Sequence, residues 1–351
     1  MKEIGFYPRY DRLGASSRYR FFMFFKRWRQ LHESDQLALY PGMSDQYLKT
    51  LYARGSVSKF RQLKEFWHLY RRAHKLTGNL IIEYELVPFL SYAKEKRLIG
   101  SRKYILNYDD NVWEKYKHDR RLQDKFDSLC KNAAGVIVAN RFLEEKVRKL
   151  NDNVCLIPTV LDLDEYDCGA IEKFERFTLV WIGTPVTYTY LEQHLEALQL
   201  MTASGCRLLV IADKELGRKR PLVGVDAEYV SWSEQTEKTL LLKSHVGIMP
   251  LTDDAFSRGK SAFKLLQYQA AELPLIASPV GENNYVVEQG KNGFLAETPQ
   301  QWLQALNDIR RDPALYERCS QYSRQKAYDY SLQKYFPVFY EFVNTAFNIK
   351  D

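Results

Sequence analysis

The 351-residue sequence is short of the residues that most metal, disulfide and hydrolase chemistries require. Its five cysteines, at positions 130, 155, 168, 206 and 319, form no C-x-x-C pair. An odd, scattered set argues against a disulfide framework or a zinc site, and for reduced, mostly buried thiols. The six histidines show no H-x-x-x-H spacing, so a helical zinc site has no support. Gly-x-Ser-x-Gly is absent, which removes the serine-hydrolase elbow. No G-x-G-x-x-G opens a helix after the first strand, so a dinucleotide-dependent dehydrogenase is excluded. No apolar run approaches the ~20 residues of a membrane span. Residues 1–12 lack the apolar core of a secretory signal, so the expected location is the cytoplasm. Low-complexity segments and short repeats are missing too.

Present is an ordinary globular composition, 45% hydrophobic and 27% charged, which excludes a mainly disordered chain. The length suits about two domains. The net charge of +7 is unevenly spread. Residues 1–160 hold 31 Lys and Arg against 18 Asp and Glu, an excess of +13, and residues 161–351 hold 20 against 26, an excess of −6. A basic half joined to an acidic half predicts two domains with different surfaces to meet. The basic half points to an anionic partner: nucleic acid, a phospholipid surface or a phosphorylated acceptor.

The hydrophobic pattern predicts strands at 3–7, 36–40, 79–84, 103–108, 135–139 and 154–157. Helix-length stretches lie between them. Over 18–31, Phe21, Phe24, Phe25, Trp28 and Leu31 share a helical face. Over 59–75, Phe60, Leu63, Trp67 and Tyr70 do the same. The pattern then restarts, with strands at 177–182, 206–212, 228–231, 246–250 and 274–278. Helices are predicted at 188–202, 233–244 and 259–272. Repeated strand–helix alternation predicts α/β architecture: two Rossmann-like doubly wound domains facing a cleft. The first covers 1–160 and the second 161–330, joined through the acidic, aperiodic stretch 159–175. Residues 331–351 form a last helix expected to pack back on the first domain. Open parallel sheets bind ligands beyond the carboxyl ends of their strands, so two such domains suit a two-substrate enzyme.

The segment from Pro250 to Gly281 carries most of the chemistry. On a helix beginning at Gly259, Lys260, Lys264, Gln267 and Ala271 fall within an arc of about 60°. Lys260 would sit at the helix N-terminus, where a cation opposes the dipole and a bound phosphate would justify it. Arg258 and Ser261 lie beside it. The plainer reading is a solvated polar face; the cluster Arg258, Lys260 and Lys264 beside a glycine favours phosphate. The run Lys264-Leu-Leu-Gln-Tyr-Gln-Ala-Ala-Glu-Leu-Pro274-Leu-Ile-Ala-Ser-Pro-Val-Gly281 leads into Val286-Val-Glu-Gln-Gly-Lys-Asn-Gly-Phe-Leu295. Together they resemble the donor-nucleotide region of GT-B glycosyltransferases, particularly glycosyltransferase family 4 (glycosyl transferases group 1). Gln267 stands where the family places a ribose-binding glutamate. Val180-Trp-Ile-Gly-Thr-Pro185 resembles the family's glycine turn near the donor phosphates, without the Arg and Lys that usually follow it.

The resemblance implies transfer of a sugar from a nucleotide-sugar donor to an acceptor hydroxyl, with retention of configuration and no metal or other cofactor. It implies donor contacts at Gly183, Thr184, Trp232, Arg258, Ser261 and Gln267, with Lys264 and Lys260 as catalytic cations. Trp232 would flank the base or serve as a core or rim aromatic. On the acceptor side, Gly14, Ser16 and Arg18 follow the first strand in a glycine loop where Ser16 or Ser17 can cap the helix. Asp109 and Asp110 end another strand and resemble an acidic pair of the family. Asp110 is the candidate base, and both also fit a strand-end turn. The expected acceptor is a glycan or a lipid-linked molecule. The basic, aromatic runs 18–29 and 59–75 read either as core aromatics with solvated cations or as contacts to an anionic membrane at its inner face. Nucleic acid is not an expected partner, since no zinc, recognition-helix or RNP signature is present. The alternative function is a non-catalytic nucleotide-sugar or polyanion-binding protein of the same fold.

Overall fold

The computed structural model describes residues 3–167, 169 and 171–349. It divides into two compact units. The first comprises Met1–Val160, Gly259–Ser261 and Leu332–Asp351; the second comprises Leu161–Arg258 and Ala262–Ser331.

The first unit is built on a parallel sheet of β1 (Glu3–Tyr7), β2 (Gln36–Leu39), β3 (Asn79–Glu83), β4 (Tyr104–Tyr108), β5 (Gly135–Val138) and β6 (Val154–Leu156), in the order β2-β1-β3-β4-β5-β6. The strands are apolar runs because helices cover both faces of the sheet. Tyr7, Leu80, Ile82, Leu106 and Val138 enter one core. Phe6, Ile81, Ile105 and Ile137, one position out of phase, enter the other. The second core is closed by the helices Met23–Leu31 and Leu332–Phe347. Phe339 lies 5.9 Å from Trp28 and 4.6 Å from Phe24 between ring centroids. Lys350 and Asp351, placed in the last helix by the sequence pattern, lie outside the described residues.

The second unit repeats the plan with β7 (Thr178–Ile182), β8 (Arg207–Ala212), β9 (Ala227–Ser231), β10 (Val246–Met249), β11 (Leu275–Ala277) and β12 (Gly293–Leu295), ordered β12-β11-β10-β7-β8-β9 and wholly parallel. The short strand β12 has no counterpart among the sequence-predicted elements. It is three residues long and opens on Gly293, where a Cβ would lie 2.1 Å from the Leu275 carbonyl oxygen. Close strand approach, rather than β-propensity, defines it.

Several expectations need correction. The helix expected over 259–272 is shorter, running Phe263–Ala270 after a separate turn of helix at Ala255–Arg258. Ala262 precedes it in the left-handed region at φ 52°, a conformation that no continuous helix passes through. Lys260 is therefore not one turn below Lys264, and the expected four-residue face does not exist. Lys260 and Ser261 group instead with the first unit. The stripe Phe60, Leu63, Trp67 and Tyr70 lies on a helix, Lys59–Ala73, but all four are exposed, and Leu69, Arg72 and Ala73 are buried instead. In the 18–31 stretch Phe21, Phe24 and Trp28 are core, Leu31 is exposed, and Arg18 and Arg20 are buried rather than solvated. The cysteines at 130, 155, 206 and 319 are free thiols; Cys168 lies outside the described residues.

Candidate functional site

A doubly wound sheet changes winding direction once, and the loops diverging there leave a crevice at the carboxyl ends of the strands. In the second unit this point falls between β7 and β10. Tyr268 joins the two strand ends. Its hydroxyl accepts from the Ile182 amide at 3.1 Å and donates to the Ile248 carbonyl at 3.3 Å. Gly247 makes room for its ring, since a Cβ there would meet the Tyr268 side chain at 2.3 Å.

The chain leaving β7 turns at Gly183 and Thr184. A Cβ on Gly183 would lie 2.3 Å from the Trp181 indole, so this backbone runs flat against the ring. Thr187 closes the turn: its hydroxyl accepts from the Thr184 amide at 3.1 Å, and its own amide donates to the Thr184 carbonyl at 3.0 Å. Lys264 sits in the first turn of the helix Phe263–Ala270, and its Nζ lies 5.6 Å from the centroid of Trp181. One buried indole is thus approached by both the Lys264 ammonium and the Gly183 backbone. That first turn has no side-chain cap. An uncapped helix start beside a cation and a glycine turn is an arrangement that suits a phosphate.

The other expected donor residues are placed less directly. Gln267 is buried one turn beyond Lys264. Arg258 lies in the preceding short helix, where it forms a two-pronged ion pair with Asp253 at 2.6 and 2.9 Å. Its charge is compensated locally. Gly281, at φ 56°, lets the chain after β11 pass the Arg258 backbone, which a Cβ would approach to 2.7 Å. Trp232 follows β9, half-buried, and its indole N–H donates to Glu237 at 2.5 Å.

The first unit carries a second polar cluster at its own point of reversal, between β1 and β3. Glu83, the last residue of β3, is buried, and its Oε2 accepts from the Ser17 hydroxyl at 2.5 Å and the Arg9 amide at 2.6 Å. Asp109, just after β4, is buried and accepts from the Tyr84 hydroxyl. Arg20 donates to Asn107 at 2.6 Å and to the Ile157 carbonyl at 3.0 Å. Tyr84 takes a left-handed φ of 61°, uncommon for a bulky side chain, and such strain concentrates at functional sites. Gly14 itself holds the N-cap position of the helical turn Ala15–Ser17, so neither Ser16 nor Ser17 caps it; the Ser17 hydroxyl instead makes the buried contact to Glu83. Arg18 is buried, with a bond from Nη1 to the Arg12 carbonyl at 3.3 Å. Asp110 directly follows Asp109 and is half-buried.

Sequence reasoning missed Glu83, Tyr84 and Tyr268. Two carboxylates, Glu83 and Glu85, interrupting the end of an apolar strand were the available signal. Burial pushes the Glu83 carboxyl up to about 7, and neighbouring Asp109 adds to the effect. The folded protein therefore keeps a proton that the unfolded chain releases above its ordinary 4.5. Stability from this group is full below about 4.5 and is lost as pH rises towards about 7, by on the order of 3 kcal/mol. Glu83→Gln should abolish that slope. Denaturant unfolding at both ends of the window tests it; parallel stability curves for wild type and variant would refute the assignment.

Both units share the architecture of GT-B glycosyltransferases. Residues 176–312 match the family model for glycosyl transferases group 1, a span that covers most of the second unit. Among solved structures, HepE of Anabaena in complex with UDP-glucose superposes with a TM-score of 0.71 at 13% identity, covering 98% of this chain and 100% of that one. Sucrose-phosphate synthase of Thermosynechococcus elongatus superposes with a TM-score of 0.69 at 13% identity, with 100% of both chains covered. At such identity the likeness is one of fold. Spore coat protein SA of Bacillus subtilis (strain 168) is 41% identical over 61 residues, spanning 16% of each chain.

Proposed function

We propose that this protein is a glycosyltransferase that moves a sugar from a nucleotide-sugar donor to an acceptor hydroxyl. The observation that carries this reading is that Gly183 and Lys264 both lie against Trp181 at the winding reversal of the second sheet. The matched family and the UDP-glucose held by HepE support a nucleoside diphosphate there.

In this reaction the bond between the anomeric carbon and the terminal diphosphate oxygen breaks. The acceptor oxygen bonds to the same face of that carbon, and its proton passes to the departing diphosphate. Nucleophilic side chains are then unnecessary, and configuration is retained. Lys264 meets the charge that grows on the leaving group, without a metal ion. Gln267 bonds the nucleotide ribose, and Trp232 flanks the base. Lys260, Arg258 and Ser261 complete the donor contacts as subsidiary groups. Gly14, Ser16, Arg18, Asp109 and Asp110 lie on the acceptor side, with Asp110 orienting the acceptor hydroxyl. The acceptor is a glycan or a lipid-linked molecule, met by a basic first unit at the inner face of an anionic membrane. Among the described residues no helix is long and apolar enough to cross a membrane.

Saturation-transfer NMR against UDP-, GDP-, ADP- and CMP-sugars, followed by assay of nucleoside diphosphate release, tests the reading. Binding without any turnover, with acceptors of both kinds present, would favour a non-catalytic binding protein. No binding to any donor would refute both. Gln267→Ala should raise the donor KM about tenfold and leave kcat nearly unchanged, because ribose contacts change little during chemistry. A fall in kcat alone would move Gln267 from the ribose to the reacting centre.

A further inference from the structure

The helix Lys59–Ala73 turns its apolar stripe away from the core of the first unit. Phe60 is 81% exposed, Leu63 67%, Trp67 59% and Tyr70 42%. At 100° per residue these four fall within an arc of about 80°, opposite the buried Leu69. Isolated exposed apolar residues need no explanation, but four large ones on one face form a patch of the kind that marks an interaction site. Lys64 and Arg71 border the stripe, and the Arg71 guanidinium lies 4.7 Å over the Trp67 ring. Glu65, the helix's single carboxylate, is turned to Ser44, accepting from its hydroxyl at 2.6 Å and its amide at 3.1 Å. This helix therefore presents apolar rings edged by cations.

Next to Tyr70, at the end of the stripe, lies a cavity of about 630 Å³. Leu90 and Leu98 give it an apolar wall, Lys94, Arg97 and Arg102 supply cationic groups, His74 adds an imidazole, and no carboxylate among the described residues lines it. Arg102 is held in place by bonds to the Leu76 and Ile99 carbonyls at 3.0 and 3.2 Å.

We propose that this helix face and cavity form a docking surface for an anionic lipid bilayer. The stripe enters the headgroup region, and the cavity receives a phosphorylated headgroup. The proposal rests on the membrane-facing reading of the first unit given above and assigns it a site. Trp, Tyr and Phe favour the interface, where one end of the ring is apolar and the other wet. The bordering Lys and Arg are attracted to the anionic leaflet. A single-stranded nucleic acid also uses aromatics and cations, but it stacks bases on rings. Leu63 within the stripe and the leucine wall of the cavity suit hydrocarbon instead.

Vesicle sedimentation of the whole protein tests this. Wild type should associate with phosphatidylcholine vesicles containing phosphatidylglycerol, weakly with phosphatidylcholine alone, and less as salt is added. The triple variant Phe60→Ser, Leu63→Ser, Trp67→Ser should partition about tenfold more weakly, with an unchanged unfolding midpoint. The pair Lys94→Glu, Arg97→Glu should weaken association with the anionic vesicles by a similar factor while leaving the weak neutral-vesicle binding intact. If both variants bind as wild type does, this site is wrong and the membrane reading stands. If wild type binds neither vesicle, the membrane reading itself is overturned. Tight binding of a single-stranded oligonucleotide that both variants lose, without vesicle binding, would assign the surface to nucleic acid and overturn the proposal.

Discussion

Lys264→Ala is expected to lower turnover about a hundredfold while leaving the protein folded. A cation aimed at a leaving diphosphate interacts more strongly as charge develops there, and stabilisation gained only in the transition state raises the rate. Loss of one such electrostatic donor costs roughly 3 kcal/mol. The structure holds Lys264 in the opening turn of its helix, with Nζ over the Trp181 indole beside the Gly183 turn. Lys260→Ala should cost less, since Lys260 lies outside that helix. Lys264→Arg should recover part of the rate, because the charge is kept but the point-like ammonium is replaced by a broad fork. The measurement is steady-state turnover on the donor identified by NMR. Wild-type kcat in a folded Lys264→Ala protein would remove this lysine from the diphosphate site.

Lys125→Ala is expected to give the largest loss of stability, about 3–5 kcal/mol, because it strands buried carboxylates. The Lys125 ammonium has no exposed surface and reaches Glu85 at 2.5 Å, Glu95 at 2.7 Å and the Val87 carbonyl at 3.0 Å. Burial opposes ionisation of Glu85, but Lys125, Lys115 and Arg9 together hold its carboxyl well below the ordinary range. Glu95 also lies against Lys125, yet burial raises its carboxyl overall. Without the lysine, Glu85 retains two cations, whereas Glu95 loses its ion-pair partner. The variant's deficit should therefore shrink as pH falls and Glu95 takes up a proton. Denaturant unfolding near neutral pH and at about pH 4, close to the ordinary carboxylate range, checks magnitude and trend. A deficit below about 1 kcal/mol would mean that water, rather than Lys125, solvates these acids.

Two of the features discussed lay within reach of the sequence and two did not. Eleven of the twelve strands were legible because most are short apolar runs, which a parallel sheet covered on both faces requires; the edge strand Ala227–Ser231, with Glu228 and Ser231 exposed, is the exception. The family likeness of the second unit was also legible, since the motifs around Gly183 and from Lys264 to Gly281 are contiguous in sequence and lie within the matched residues 176–312. The break at Ala262 was not: alanine is a strong helix former, and its left-handed φ of 52° is imposed by surroundings that periodicity does not contain. Which of the two readings of the Lys59–Ala73 stripe holds was not legible for the same reason. Helical spacing gathers apolar residues on one side of a helix but does not say which way that side faces.

The sequence by itself determined the class of fold, the two-unit division and the glycosyltransferase likeness of the second unit. Those properties reside in local pattern: apolar run length, glycine at a turn, the order of motifs along the chain. Tertiary structure alone decided which charged groups are buried together and which rings remain outside. Glu83 meets Ser17 and Arg9 across 66 and 74 positions of sequence, and Tyr268 ties Ile182 across 86. Such contacts follow from strand order, and strand order is settled by how all the apolar faces pack at once.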